Sequence, residues 1–495
     1  MLNTLLYKNK EVKSRMSRSF REFFSGKKQI FFITAVVLLQ MKRSAIPVFI
    51  GTAFYLLPTM SNAQKIACGG YHSLAICSDS TSMAWGNNDD GELGNGTYTP
   101  SNVPVQVNSL TGITAISAGN SHSLALKNDG TVWAWGYNYY GELGNGTNTN
   151  SNVPVQVSSL TGITAIAAGY HYSLALKNDG TVWAWGWNLN GQLGNGTNTD
   201  SNVPVQVSSL TGISAIAGAG PSLALKNDGT VWAWGGNINV PVQVNSLTGI
   251  TAISSGNSLA LALKNDGTVW AWGSNQYGQL GNGTNTDSNV PVQVSSLTGI
   301  TVIAAGSEHS LAIKNDSTVW AWGENGYGEL GNGTWTDSNV PVQVSLPPGI
   351  TAISGGYDYS FALKNDGTLW AWGNGGVGQL GTGNYSESYV PVQVTGLCQV
   401  ATSVNDAFPS TAGLSMTAFI SPNPVQTQLT INLATPANEV NILVYDLQER
   451  IIAVPTTFTN TQAQLNTSTL PDGFYTVQIT NNKRGEIEVE KFVKQ

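Results

Sequence analysis

Hydrophobic and polar residues alternate along short segments of the chain with the period of two that β-strands show. In Thr131-Val-Trp-Ala-Trp135 both tryptophans fall on one face, and Ser123-Leu-Ala-Leu126 alternates in the same way. Between these segments lies Asn128-Asp129-Gly130, a strong signal for a tight turn. The pattern predicts an antiparallel hairpin.

The same stretch contains another apolar segment, Val153-Pro154-Val-Gln-Val157. Its proline has no N–H to donate to a neighbouring strand, so the segment is expected to lie at the edge of a sheet. Together with a strand before the hairpin, these segments give four short strands in about 50 residues. A unit of this size and content is typical of one blade of a β-propeller.

The unit recurs seven times along the chain. The dipeptide Trp-Gly marks each copy at intervals of 50, 50, 49, 38, 50 and 50 residues, with Trp at positions 85, 135, 185, 234, 272, 322 and 372. The fourth copy is short because it lacks a segment between Gly235 and Val240. Gln64 and Ala401 share the repeat position of Thr114, as a closed ring requires. We therefore predict an all-β fold, a seven-bladed β-propeller at 64–400 followed by a small β-sandwich domain.

Three segments of the unit resemble the regulator of chromosome condensation repeat family. They are Gly119-Asn-Ser-His-Ser-Leu124, Trp135-Gly136 and Gly141-Glu-Leu-Gly144, and Gly191-Gln-Leu-Gly194 is closer still to the family pattern. The resemblance implies a seven-bladed propeller. It does not fix the function, because propellers of this family serve in nucleotide exchange, in chromatin binding and, in secreted bacterial relatives, in enzyme inhibition.

After a linker at 401–418, alternating segments separated by Pro and Asp-Gly turns predict a small β-sandwich at 419–495. The order of its segments resembles the C-terminal sorting domain of the type nine secretion system, although Glu449 stands where the family usually has Gly. The resemblance implies transport across an outer membrane by that secretion machinery, followed by release or surface anchoring. The residues that carry it are Pro422, Asn423, Pro424, Asp446, Leu447, Gly473, Tyr475 and Lys491.

The N-terminal region has the pattern of an export signal. Basic residues at 42–43 precede an apolar stretch at 45–57, and a small residue, Ala63, stands before Gln64. We predict a signal peptide at 41–63, cleaved between Ala63 and Gln64. A second short apolar run at 30–39 leads us to expect that residues 1–40 are a wrongly assigned extension, with a membrane hairpin as the alternative. The mature protein is then secreted or anchored on the surface of a Gram-negative bacterium.

The charge pattern argues against nucleic acid as a partner. Residues 64–400 contain 7 Lys, no Arg and 19 acidic residues, whereas binding to phosphate backbones depends on Lys and Arg. Export also removes the protein from any GTPase of the cytosol or nucleus.

The chain has no phosphate-binding loop, nucleophile elbow or metal-ligand spacing. We expect no enzyme activity, no catalytic residue, no cofactor and no metal ion; Asn87-Asn-Asp-Asp-Gly-Glu92 is better explained by turn chemistry than by Ca²⁺ binding.

The few cysteines and histidines are expected to be structural. In repeat register Cys398 falls seven positions before Cys68, which predicts a Cys68–Cys398 disulfide across the ring seam and a free Cys77. His72, His122 and His309 share one repeat position on different blades. They are expected to be partly buried and to hydrogen-bond neighbouring backbone.

Large aromatic residues in the loops depart from the repeat. Sister units have Asn, Gly or Leu at the same positions, so these side chains are not needed to build a blade. We predict that they bind a protein partner. Binding of glycans at repeated weak sites, or a passive adhesive role, are the alternatives. The candidate anchors are Tyr137, Tyr139, Tyr140, Trp187 and Trp335.

Overall fold

The computed structural model describes residues 65–401 continuously, and then 419–421, 427–432, 440–445, 451–452, 454–459, 462–471, 473–481 and 487–494. The predicted signal peptide, its cleavage site at Ala63 and Gln64, the extension at 1–40 and most of the linker lie outside these residues. The described part of the chain contains no helix with the length and apolarity needed to cross a membrane.

Residues 66–393 form seven four-stranded antiparallel sheets, each a simple meander. Blades 1 to 3 consist of β1 Ile66–Cys68, β2 His72–Ile76, β3 Ser82–Gly86, β4 Ser101–Gln106, β5 Ile113–Ala118, β6 His122–Lys127, β7 Val132–Gly136, β8 Ser151–Gln156, β9 Ile163–Ala168, β10 Tyr172–Lys177, β11 Val182–Gly186 and β12 Ser201–Gln206. Blades 4 to 7 consist of β13 Ile213–Gly218, β14 Ser222–Lys226, β15 Val231–Gly235, β16 Ile238–Gln243, β17 Ile250–Ser255, β18 Leu259–Lys264, β19 Val269–Gly273, β20 Ser288–Gln293, β21 Ile300–Ala305, β22 His309–Lys314, β23 Val319–Gly323, β24 Ser338–Gln343, β25 Ile350–Gly355, β26 Tyr359–Lys364, β27 Leu369–Gly373 and β28 Ser388–Gln393.

The first strand of each blade contacts the first strand of the next, and β25 of the last blade contacts β1 of the first. These seven strands form a closed inner ring. The fold predicted from the repeat is confirmed: the sheets are blades of a propeller.

Each blade follows the predicted hairpin pattern. In the second blade, Ala125 of β6 pairs with Trp133 of β7, and the Asp129 carboxylate accepts hydrogen bonds from both the N–H and the hydroxyl of Thr131 at the turn. The proline-containing strand β8 pairs only with β7 and is the outermost strand, as its missing N–H predicts.

A buried tryptophan joins each blade to the one before it. Trp135 is fully buried, and its Nε1 donates a hydrogen bond of 2.7 Å to the carbonyl of Glu92 in the first blade. Gly144 shows why the loop needs glycine: its φ is +60°, and a Cβ there would lie 2.7 Å from Nε1 of Trp185. Apolar burial and one directed hydrogen bond thus set the spacing between blades.

The short fourth blade breaks this pattern at one place. It lacks the loop that supplies the accepting carbonyl, so Trp272 of the fifth blade has no equivalent bond among the described residues and is 9% exposed, whereas Trp322 and Trp372 are fully buried. The side chains that would have covered this tryptophan are missing with the loop.

The ring closes where the end of the last repeat meets the first blade. Val400 forms an isolated antiparallel bridge with Cys77, and the N–H of Ala401 donates to the carbonyl of Ile76 at 3.1 Å. Val400 therefore takes the place that Ile113 takes opposite Lys127 in the second blade. The last residues of the repeat region complete the inner edge of the first blade.

The predicted Cys68–Cys398 disulfide is wrong. Cys398 is bonded to Cys77, with a Cα–Cα distance of 5.7 Å, and Cys68 is free and buried. The prediction used a separation of seven positions in the repeat. Seven residues along one strand, however, span about 23 Å. The antiparallel partner strand brings Cys77, rather than Cys68, opposite the closing segment.

The shared histidine position links neighbouring blades. Nε2 of His72, His122 and His309 lies 2.8 to 3.0 Å from the hydroxyl of Ser123, Ser173 and Ser360, each in the next blade. The partners are serine hydroxyls rather than the expected backbone groups, and the imidazoles are fully buried rather than partly buried. Burial lowers the pKa of His122 to about 3, so it is neutral near pH 7.

The C-terminal region forms two four-stranded sheets, with strand orders β29-β30-β34-β33 and β32-β31-β35-β36. Leu429 and Leu465 from one sheet share a buried core with Val444 and Val477 from the other, which makes this region a β-sandwich. Its strands are β29 Phe419–Ser421, β30 Gln428–Asn432, β31 Val440–Tyr445, β32 Ile451–Ile452, β33 Thr456–Phe458, β34 Gln462–Asn466, β35 Gly473–Asn481 and β36 Ile487–Lys494.

Candidate protein-binding interface

Loops of the second and third blades bring six aromatic side chains together, and we refer to them as the aromatic cluster. Two of the loops follow the Trp-Gly of β7 and of β11, and the third segment is the turn between β9 and β10. The cluster consists of Tyr137, Tyr139, Tyr140, Tyr170, His171 and Trp187.

His171 and Tyr140 lie at the centre of this cluster, and each contacts most of the other rings. The ring centroid of His171 lies 5.4 Å from that of Tyr137, 5.5 Å from Tyr140, 4.6 Å from Tyr170 and 6.3 Å from Trp187. These separations are those of packed aromatic pairs. The rings therefore form one continuous patch across the boundary between two blades.

A buried carboxylate holds the cluster in place. One oxygen of Glu142 accepts the backbone N–H of Tyr140 at 2.9 Å, and the other lies 3.4 Å from Nδ1 of His171. The carbonyl of Glu142 also accepts the indole N–H of Trp185 at 2.8 Å. Burial raises the pKa of Glu142, and the nearby His171 opposes that rise. The cluster thus rests on the same residue that joins the blades.

The cluster presents both exposed and half-buried rings. Tyr139 is 66% exposed and Tyr170 is 37% exposed, whereas Tyr137, Tyr140 and Trp187 are half-buried. Rings that are already packed lose little conformational freedom when a partner covers them. This geometry suits the anchors of a protein interface.

Four of the five predicted anchors lie in the cluster, and the fifth does not. Trp335 belongs to a loop of the sixth blade, where its ring lies 4.9 Å from that of Tyr389 in the seventh blade. Sequence reasoning missed Tyr170 and His171. The sequence did contain a signal for His171. In this unit Tyr172 occupies the histidine position of the repeat, and His171 stands one position before it.

The sorting-domain residues are only partly described. Gly473 begins β35, Lys491 lies in β36, and the buried Tyr475 donates from its hydroxyl to the carbonyl of Pro471 at 2.8 Å. The remaining motif positions, at 422–424 and 446–447, lie outside the described residues.

Models of known families match both parts of the chain. The RCC1-like domain matches residues 40–220, and the regulator of chromosome condensation repeat matches residues 266–313, 316–363 and 366–405. These matches cover blades on both sides of the short one.

The chain belongs to the RCC1 repeat family.

This RCC1-repeat propeller also carries a secretion system C-terminal sorting domain, matched at residues 420–495. Domains of this kind direct export by the type nine secretion system to the cell surface of Gram-negative bacteria. The sequence-based recognition of both families, and the extracellular location, are therefore confirmed.

Similar proteins share the repeat over limited lengths. A probable E3 ubiquitin-protein ligase of Homo sapiens, HERC6, is 48% identical over 50 residues, which is 10% of this chain and 5% of that protein. The mitochondrial RCC1 domain-containing protein RUG3 of Arabidopsis thaliana is 39% identical over 46 residues, 9% of this chain and 10% of that protein. The chain thus spans a tenth or less of the curated relatives it matches.

Solved structures show the same fold over most of the propeller. Human WBSCR16 superposes with a TM-score of 0.56 at 26% identity, covering 62% of this chain and 88% of that one. Prp20p from Saccharomyces cerevisiae, described with its binding properties to Gsp1p and histones, superposes with a TM-score of 0.57 at 24% identity, covering 63% and 85%. The second likeness is evidence of fold alone.

Proposed function

We propose that this exported propeller is a non-enzymatic recognition module that binds a protein partner through the aromatic cluster. The observation that carries the proposal is the single, packed and partly exposed patch formed by Tyr137, Tyr139, Tyr140, His171 and Trp187. A module displayed at the cell surface needs only such a patch to serve as a receptor or an inhibitor.

The asymmetry of the patch favours a protein over a glycan. Multivalent glycan binding needs equivalent sites on several blades. Apart from Trp187, which belongs to the cluster, the sister positions of Tyr137 are Asn87, Gly236, Ser274, Glu324 and Asn374, which cannot form the same patch. A cluster of six rings at one blade boundary suits a single, specific interface of roughly 800 Å² per partner.

The charge and the export of this protein also argue against nucleic acid or a GTPase as its partner. Its propeller has 7 Lys and no Arg at 64–400, which makes nucleic acid a poor partner. An exported protein does not meet cytosolic or nuclear GTPases, so we infer that nucleotide exchange is not its activity.

Trp187→Ala is expected to weaken partner binding at least about 30-fold, because a large aromatic anchor of an interface typically contributes 2 kcal/mol or more. The partner is first captured on the purified full-length protein from surface extracts of the source bacterium, with a glycan array run in parallel. Affinity is then measured by calorimetry for wild type and variant.

The control is the double variant Trp335→Ala, Tyr389→Ala, which removes an exposed aromatic pair outside the cluster, on blades 6 and 7. It is expected to bind the partner within about twofold of wild type. Equal losses in both variants, or undiminished binding by Trp187→Ala, would place the interface elsewhere. Glycan binding through equivalent positions on several blades would support the alternative function.

A further inference from the structure

The same three repeat positions lie at each boundary between successive full-length blades. Two belong to one blade: the residue after Trp-Gly, and the Glu or Gln of the Gly-x-Leu-Gly loop. The third belongs to the first turn of the next blade. We call these three positions the junction. At blades 6 and 7 the three junction residues are Glu324, Glu329 and Asp358.

At other junctions a hydrogen-bond donor faces the carboxylate. Asn87 donates to Glu92 at 3.0 Å between blades 1 and 2, and His171 lies 3.4 Å from Glu142 between blades 2 and 3. Between blades 5 and 6, the amide of Gln279 donates to the carboxylate of Glu308. These donors offset the cost of burying an acid.

The junction of blades 6 and 7 has three acids; Asn374 hydrogen-bonds Asp358, but among the described residues no side-chain donor of this kind faces Glu324 or Glu329. One carboxylate oxygen from each of Glu324, Glu329 and Asp358 lies within 4.8 Å of the other two. The ion pairs between described residues join lysines to other acids or His171 to Glu142, and none includes this trio.

Glu329 gives a second indication that a ligand belongs here. The residue is fully buried, and one carboxylate oxygen accepts the backbone N–H of Tyr327 at 2.9 Å. The other oxygen, Oε1, is buried and has no hydrogen-bond partner among the described residues. A buried, unpaired carboxylate oxygen beside two further carboxylates is costly unless a bound cation or a proton neutralises the charge.

The electrostatic surroundings increase this cost. The carboxylates of Glu308 and Asp337 lie close enough to Glu324 to repel its charge. Acids outside the trio therefore make the local potential still more negative.

We propose that Glu324, Glu329 and Asp358 bind a Ca²⁺ ion at the junction of blades 6 and 7. Calcium takes oxygen ligands at 2.3–2.6 Å in flexible geometry, so oxygens within about 4.8 Å of one another can share one ion. Because Glu324 and Asp358 are half-exposed, water can complete the coordination. Magnesium demands a stricter octahedral arrangement.

The expected affinity fits the extracellular location. Calcium sites of extracellular modules typically have dissociation constants of roughly 10⁻⁴–10⁻³ M. The ion would link blades 6 and 7, whereas the aromatic cluster lies on blades 2 and 3. The proposal is independent of the protein partner and does not require that partner to be known.

The test measures Ca²⁺ binding by calorimetry on the purified, chelator-treated full-length protein, with thermal unfolding alongside. Wild type is expected to bind Ca²⁺ alone with a dissociation constant in the range given above and to unfold roughly 3 °C higher in excess Ca²⁺. Glu329→Gln is expected to weaken binding at least tenfold. Sister blades carry Gln279 and Gln379 at this position, so the variant is compatible with the fold.

Glu92→Gln is the matched control, because it makes the same change at the same repeat position where Asn87 already supplies a donor. It should bind Ca²⁺ like wild type. If Glu329→Gln unfolds early, Asp358→Asn provides a second test of the same ligand set. Absence of Ca²⁺ binding by wild type, equal losses in both glutamine variants, or an equal response to Mg²⁺ would overturn the proposal.

Discussion

Replacing Cys77 and Cys398 together by serine is expected to lower the free energy of unfolding of the propeller by about 5 kcal/mol. The disulfide spans 321 residues and ties the end of the repeats to the first blade. A cross-link over so long a loop removes much chain entropy from the unfolded state. The disulfide lies beside the Val400–Cys77 bridge, so its loss also frees the segment that completes the ring.

The measurement is denaturant unfolding of the full-length protein, followed by tryptophan fluorescence with and without reductant. Cys68→Ser is the matched control, because the Cys68 thiol is buried and is not bonded to another cysteine. This change is expected to lower the free energy of unfolding by about 1 kcal/mol or less. Reductant should destabilise wild type and Cys68→Ser alike and leave the double variant unchanged. A double variant as stable as wild type would show that the ring closes without help from the disulfide.

Trp135→Ala is expected to lower the free energy of unfolding by about 3–5 kcal/mol, the usual cost of truncating a fully buried large aromatic residue. The indole fills the space between the first and second blades, where it packs with Leu93, Val107 and Ile113. Its loss also removes the hydrogen bond to the carbonyl of Glu92.

Trp133 is the matched control, since it lies on the same strand and the same face but is half-buried. Its Nε1 bonds only within its own blade, to the hydroxyl of Thr131 at 3.3 Å. Trp133→Ala should therefore cost less than half as much in the same unfolding experiment. Equal costs would show that tryptophan packing between blades stabilises this propeller no more than tryptophan packing within a blade.

The fold was readable from the sequence because the local signals recur along the chain, the edge proline in all seven units and the Asn-Asp-Gly turn in five. Alternation, the Asn-Asp-Gly turn and the edge proline all agree within one unit, and their repetition removes the ambiguity that a single copy would leave. The disulfide was misjudged for a physical reason. A disulfide forms between residues that face each other across strands. In repeat register Val400 corresponds to Ile113 and Cys77 corresponds to Lys127, and Ile113 and Lys127 pair across strands in the second blade.

The candidate site was predictable only in part. Tyr140 and Trp187 stand out because they depart from the repeat, but their contact depends on neighbouring blades facing each other. His171 was missed because it stands next to a repeat position rather than in it. The acidic junction gave no motif, since Glu329 and Asp358 belong to different units and meet only when the ring is formed.

Photocrosslinking from the cluster tests the central claim most directly. A photoreactive phenylalanine derivative is placed at Tyr139, which is 66% exposed within the cluster, or at Tyr98, which is 52% exposed in a loop of the first blade. Each full-length variant is displayed on cells of the source bacterium and irradiated. We predict one discrete protein adduct from position 139 and none from position 98; the same adducts from both positions, or glycan adducts alone, would contradict the assignment of the aromatic cluster as a protein-binding site.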